Sequence, residues 1–211
     1  MKKKNKSKIS KYKKTDLSRC LLFIEPGPVV LVSSYNLETQ QPNLMTISWT
    51  IALDFNHHIA LCTGPWNYSF DLIMKTKECV VAIPPASMAE TVVKIGDISG
   101  KVCDKFEKFG IKQLEAEKTD APLIDGCVAN LECKVVDFVK KYGLIILEVV
   151  NVWENEELKD EKLFHAYGDG KFVKDGEKMD LRKFMADKIP EGLWFKFYLN
   201  NRLFKGILII Y

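Results

Sequence analysis

Asn43-Leu44-Met45-Thr46-Ile47-Ser48-Trp49 and, further along, Gly64-Pro65-Trp66-Asn67-Tyr68-Ser69-Phe70-Asp71-Leu72-Ile73 are the two stretches from which the rest of the chain can be read. The first alternates. Thr46 and Ser48 put hydroxyls on one side, while Met45, Ile47 and Trp49 fall on the other, the period of two that a strand imposes. The second opens with a Gly-Pro turn and places Asn67 and Ser69 where a helix begins. Phe70, Leu72, Ile73 and Met74 then follow close to helical spacing, with Asp71 in the first turn.

Working outward, residues 29–33 form a β-branched run behind Pro26-Gly27-Pro28, a strand with a sharp left boundary. Turn residues 36–42 lead into a strand over 43–52, its expected hairpin partner. Further strands are expected over 58–63, 78–83, 128–139 and 144–153, the last two joined by Lys140-Lys141-Tyr142-Gly143. Residues 163–167 and 171–173 flank Gly168-Asp169-Gly170, a hairpin signal. Short helices fit 69–77, 88–95, 104–109 and 180–186, and 17–24 reads as a short helix or an irregular approach. Six or more strands, joined mostly by tight turns with short helices inserted, imply a mainly β fold, a six-stranded antiparallel barrel.

At 211 residues and 47% hydrophobic, the chain suits one domain with a substantial core. Its formal charge of +3 is misleading, because eight lysines and no acid lie in residues 1–14. Without them 23 basic residues face 28 acidic ones, so the folded body is acidic and nucleic acid is not its expected partner. Residues 1–16 read as a lysine-rich solvated tail, 17–192 as the domain, and 193–211 as an apolar extension. That extension carries Lys196, Arg202 and Lys205, which argues against a membrane span. Six cysteines without a C-x-x-C pair imply neither a structural metal nor a disulfide framework, and fit a reducing cytoplasm.

Phosphate-loop, nucleophile-elbow and dinucleotide fingerprints are absent. His165, inside an apolar run, reads as a structural histidine. No catalytic residue stands out, which favours chemistry borrowed from a cofactor. The two opening stretches make a cradle for a planar ring with a phosphate tail: a strand face, then a helix start whose free N–H groups and dipole attract an anion. Ser99-Gly100-Lys101 with Asp104-Lys105-Phe106 adds a loop that can close over it. Each piece also has a plainer reading, as an amphipathic strand, a helix capped by Asn or Ser, and a solvated loop.

Taken in order, these segments resemble the flavin reductase-like family and, within it, the flavoredoxin-type branch, whose fold is the FMN-binding split β-barrel. The resemblance runs from Glu25-Pro26-Gly27-Pro28-Val29-Val30 through both stretches to Asp104-Lys105-Phe106-Glu107-Lys108-Phe109-Gly110. Ala121-Pro122-Leu123-Ile124 and Leu131-Glu132-Cys133 extend it. It implies a homodimer that binds FMN near the subunit interface. The implied cofactor contacts include Asn43, Met45, Thr46, Ile47, Ser48, Trp49, Cys62 and Gly64, with the strand from Met45 to Trp49 along the ring and Thr46 and Ser48 near the ring or the phosphate. Asn67, Tyr68 and Ser69 would hold the phosphate, and Asp104, Lys105 and Phe106 would complete the pocket. The implied activity moves electrons from NAD(P)H or a ferredoxin-like donor through FMN to an acceptor; the alternative is a non-enzymatic FMN-binding electron-transfer protein serving a protein partner. The lysine tail and residues 193–211 depart from the family pattern.

Overall fold

The computed structural model describes residues 11–24 and 27–185. One compact unit runs to Asp175, and a second begins at Gly176. Within the second, the described residues hold one 3-10 turn, Arg182–Phe184, with Arg182 paired to Asp180. The expected apolar extension over 193–211 lies outside the described residues.

In the first unit the strands are β1 (Tyr12–Lys14), β2 (Val30–Asn36), β3 (Gln41–Ile47), β4 (Thr50–Ala52), β5 (His58–Cys62), β6 (Glu78–Ile83), β7 (Gln113–Leu114), β8 (Leu123–Ile124), β9 (Ala129–Val139), β10 (Leu144–Asn155), β11 (Phe164–Ala166) and β12 (Phe172–Lys174). The helices are α1 (Arg19–Ile24), α2 (Tyr68–Thr76), α3 (Ala89–Gly96) and α4 (Lys105–Lys108). The main sheet is antiparallel, in the order β3-β2-β6-β9-β10-β5-β4, with β1 added beside β10. Its long members are the six expected strands.

One strand departs from expectation. The run over 43–52 breaks at Ser48-Trp49 into β3 and β4, and the two halves go to opposite ends of the sheet. Two linking residues leave at most about 11 Å between the Cα atoms of Ile47 and Thr50. The sheet must therefore curl until its edges nearly touch, and the result is a split barrel.

Alternation along each strand divides the core. Val30, Val32, Met45, Ile47, Val81 and Leu131 turn inward to one cluster, which Phe70 and Ile73 of α2 join. The residues between them, Leu31, Leu44 and Ala82, turn outward to a second cluster under α3 and α4, with Val92, Ile95 and Phe106. Strands β2, β3 and β6 are thus buried on both faces, which explains their nearly unbroken apolar runs.

The lysine-rich start needs a correction at its inner end. Tyr12–Lys14, expected in the solvated tail, pairs with β10 as Tyr12↔Asn155 and Lys14↔Trp153. Tyr12 is buried, its phenol oxygen 3.2 Å from the Ile124 carbonyl and 3.0 Å from that of Cys127. Lys11, Lys13 and Lys14 pair with Glu157, Glu156 and Glu117. A single apolar anchor and complementary charge hold a segment whose composition reads as solvated.

Buried Glu132 has an unusual role. It accepts hydrogen bonds from the Trp153 indole N–H at 2.8 Å, the Asn151 amide at 2.7 Å, and the backbone N–H groups of Glu117 and Lys118. Donors on this scale offset the cost of removing a carboxylate from water, and they fix the loop ahead of β8.

Candidate functional site

The start of α2 supplies the anion end of the site. Asn67 has the extended backbone of an N-cap residue, φ −110° and ψ 126°, yet its side chain makes no capping bond. The plainer reading of this residue, a cap with no further role, is therefore not what the helix uses it for. Ser69 is buried and its hydroxyl accepts a 2.8 Å bond from the amide nitrogen of Asn43 on β3, which also reaches Ser34 on β2 at 3.3 Å. The hydroxyl of Tyr68 accepts from the Asn36 amide at 2.8 Å, and the Lys101 ammonium stands 5.5 Å from its ring centre.

The other end of the Asn43 amide has no partner among the described residues. Its Oδ1 is buried and unbonded, and a β-carbon on Gly100 would lie only 1.8 Å from it. Exchanging the amide's O and N merely moves the orphan to a buried NH2. A buried polar atom without a partner costs about 1–3 kcal/mol. Here it sits beside an uncapped helix start, against a loop whose glycine admits no side chain. Among the described residues two more buried hydroxyls lack partners, Thr50 on β4 and Thr63 just after β5.

Lys105 opens α4, but its ammonium does not face solvent. Nζ donates to the Leu44 carbonyl of β3 at 2.7 Å and to the Ile95 carbonyl, in the last turn of α3, at 2.9 Å. The residue is only 5% exposed, and no carboxylate among the described residues pairs with it. Burial lowers its pKa from the usual lysine value, an effect the nearby Cys103 partly offsets. One of three ammonium donors remains for another acceptor. Asp104 caps α4, accepting from the Glu107 N–H at 3.1 Å, and Phe106 belongs to the core.

On β3, Met45 and Ile47 are interior, and Thr46 donates its hydroxyl to the Val92 carbonyl of α3 at 2.6 Å. These residues can meet a ligand chiefly through backbone, because an edge strand turns alternate N–H and C=O groups away from its one partner. Ser48 is half-buried and Trp49 is 72% exposed, both on the link rather than in the strand. Cys62, at the end of β5, directs its thiol to the Tyr142 carbonyl at 3.6 Å. Gly64 is tight for space: a β-carbon there would lie 2.3 Å from the Trp66 ring.

The structure thus gathers Asn43, Tyr68 and Ser69, with Asn67 beside them at the head of α2. Lys105 is tied to β3, whereas Asp104 and Phe106 serve α4 and the core. Sequence reasoning missed Ser34, Asn36 and Thr63, since a lone hydroxyl or amide in a strand carries no signal of its own. Gly100 and Lys101 did carry one, as the Ser-Gly-Lys loop. A separate groove of about 730 Å³ lies between the β2–β3 turn and residues 113–122. Glu78, Glu115, Glu117 and Asp120 line it against the one lysine Lys118, so it is no natural seat for a phosphate.

The residues present fit a phosphate-bearing planar cofactor. They offer an uncapped helix start, an unpaired amide end, a buried ammonium with a spare donor, and a strand edge. His165 bridges the Gly27 carbonyl at 3.2 Å and Asp175 at 2.7 Å, tying β11 to the segments on either side.

Residues 23–174 match the family described as flavin reductase like domain. An uncharacterized protein of Archaeoglobus fulgidus is 34% identical over 152 residues, covering 71% of this chain and 84% of its own. The uncharacterized protein YddH of Escherichia coli is 24% identical over 186 residues, or 81% and 98% of the two chains. Among solved structures, an FMN-binding domain of a flavin reductases-like enzyme from Shewanella baltica superposes with a TM-score of 0.74 at 22% identity, covering 80% of this chain and 96% of the other. The flavoredoxin of Desulfovibrio vulgaris gives 0.66 at 21% identity, over 85% and 96%. These likenesses establish the split-barrel fold.

Proposed function

Because the chain belongs to the flavin reductase-like family, we propose that it is an FMN-binding oxidoreductase that takes electrons from NAD(P)H or another donor and passes them to an acceptor. The observation that carries this reading is the unpaired end of the Asn43 amide, held by Ser34 and Ser69 beside the uncapped start of α2. The N–H groups of that helix start, with Asn67, Tyr68 and Ser69, would hold the phosphate, and Lys101 adds positive charge at the loop. The free edge of β3 from Asn43 to Ile47, with Ser48, Trp49, Cys62 and Gly64 beyond it, would line the ring.

Bound FMN supplies hydride and single-electron transfer, which no side chain provides. The chain's own part is to orient and to exclude water. Lys105 pins β3 at Leu44 and Thr46 pins it to α3, so the strand edge is rigid before a ligand arrives.

Dimerisation belongs to the same reading. Trp49, Ile51, Leu53 and Phe55 alternate along β4 and its continuation, and are 72%, 54%, 44% and 71% exposed. A row of this kind on one strand face is a contact surface, and a second copy of the chain is its proposed occupant. Among the described residues no helix is long and apolar enough to cross a membrane.

The test is the visible spectrum of purified protein supplied with FMN, followed by anaerobic NAD(P)H. Flavin absorbance retained through gel filtration, then bleached at catalytic rates, is the expected result. Retained flavin that only a ferredoxin-like donor reduces favours the non-enzymatic carrier. A protein that retains no flavin overturns both. Ser69→Asp, which sets a carboxylate against the phosphate, is expected to weaken FMN about 100-fold; unchanged affinity would move the phosphate site elsewhere.

A further inference from the structure

We propose that Trp66, with Tyr142 and Lys141, forms a stacking platform for a planar, electron-poor ring that carries an anionic group. This deepens the oxidoreductase reading, on which the platform's role as the acceptor's site rests.

Trp66 is 76% exposed, yet its position is built rather than incidental. A β-carbon on Gly64 would approach its six-membered ring to 2.3 Å, and one on Gly143 to 3.3 Å. Gly64 leaves the space that the indole occupies and Gly143 lies against it, and Gly143 also has φ +63°, which favours glycine in its own right. The two loops concerned are fastened to each other. The Thr63 N–H donates to the Gly143 carbonyl at 2.7 Å, and the Cys62 thiol points to the Tyr142 carbonyl. The indole is therefore seated on a rigid base with most of its surface outward. A large amphipathic ring with two rotatable bonds gives a ligand contact area at little entropic cost.

Chemistry narrows the ligand. Indole and phenol rings are electron-rich and stack best against electron-poor partners. Tyr142 is 61% exposed, and the Lys141 ammonium lies 5.1 Å from its ring centre. Lys140 precedes it, and the turn 140–143 carries no acid. Cation beside aromatic surface selects a ring with a carboxylate, sulfonate or phosphate attached. The platform also adjoins the β3–β4 link, since the Cys62 N–H donates to the Trp49 carbonyl at 3.0 Å. A ring resting there would lie toward that link, whose Ser48 and Trp49 the proposed function assigns to the flavin.

The experiment is calorimetric titration of the full chain with 3,5-dinitrobenzoate and with uncharged 1,3-dinitrobenzene, flavin content being read from absorbance on the same samples. Trp66→Ala is expected to weaken dinitrobenzoate about tenfold, while Trp66→Phe stays within about threefold of the parent. Lys141→Ala is expected to weaken dinitrobenzoate about threefold and leave dinitrobenzene unchanged. Wild-type binding of both probes by Trp66→Ala overturns the proposal. So does conversion of a dimer to a monomer by Trp66→Ala in sedimentation, because the indole would then belong to the interface between copies. Protein that takes up no flavin but still loses dinitrobenzoate on Trp66→Ala supports the platform and overturns the flavin reading instead.

Discussion

The two edges of the main sheet meet at Ser48-Trp49, and they are finished in opposite ways. The β3 edge strand is covered over its outer face, its unpaired backbone side left open. Leu44 is buried under Ile95 and Phe106, Thr46 bonds the Val92 carbonyl, and Lys105 fills a gap with a buried ammonium. The β4 edge is bare, with Trp49, Ile51 and Phe55 each more than half exposed. Both edges derive from one expected strand. Helices inserted after β6 reach only the first, so Thr46 and most of the Lys105 ammonium are bonded within the protomer, and the apolar side chains at the second stay exposed. A covered edge fixes geometry; a bare edge recruits a partner.

Mutations should expose that contrast. Phe106→Ala removes the ring that seals the covered edge and is expected to cost about 3–5 kcal/mol of stability in urea unfolding; a loss below about 1 kcal/mol would mean α4 is not part of the core. Gly100→Ala drives a β-carbon into the Asn43 amide, so the loop must shift. A stability loss of about 1–3 kcal/mol is expected, with weaker flavin retention on gel filtration.

Lys105 makes the third prediction, in its pH dependence. Its folded pKa lies below the ordinary 10.5, so the unfolded chain binds the extra proton just beneath that value. Its contribution therefore rises as pH climbs toward 10.5 and falls away at lower pH, where the charged form must be buried. The Cys20 thiol acts the other way: burial pushes it up to about 12 from 9.0, so its contribution is complete below pH 9 and lost toward 12. That background is common to wild type and Lys105→Met. The difference between their stabilities, measured from pH 8 to 10.5, is expected to shift steadily in favour of wild type. A constant difference would show that the ammonium is not desolvated.

The smallest effect belongs to the bare edge. Phe55→Ser is expected to change protomer stability by no more than about 0.5 kcal/mol, while weakening self-association in sedimentation. A large loss of protomer stability would show that this residue packs within its own chain and that the contrast between edges is false.

Much of this was legible in the residues. The strands 58–63, 78–83, 128–139 and 144–153 and the helix starts at Tyr68 and Lys105 all appear near where period and turn chemistry put them. The break inside 43–52 was not legible, because the run has strand character throughout and nothing local distinguishes Ser48-Trp49. Tyr12 was missed for a related reason, since one aromatic among lysines has no period to read. The candidate site was legible as a set of segments but not as a set of contacts: Thr46 and Lys105 look free in sequence and are bonded in the fold.

What the sequence determined by itself was alternation, helix capping positions and the order of segments, all of which depend on neighbours a few residues apart. Tertiary structure alone decided which groups were left over. Among the described residues Asn43 lacks a partner for its Oδ1, Lys105 keeps one donor unspent, and Trp66 rests against Gly143, because of residues far away along the chain. Hydrogen bonds and burial are settled only when distant strands close on each other, and the barrel closes through two residues, Ser48 and Trp49.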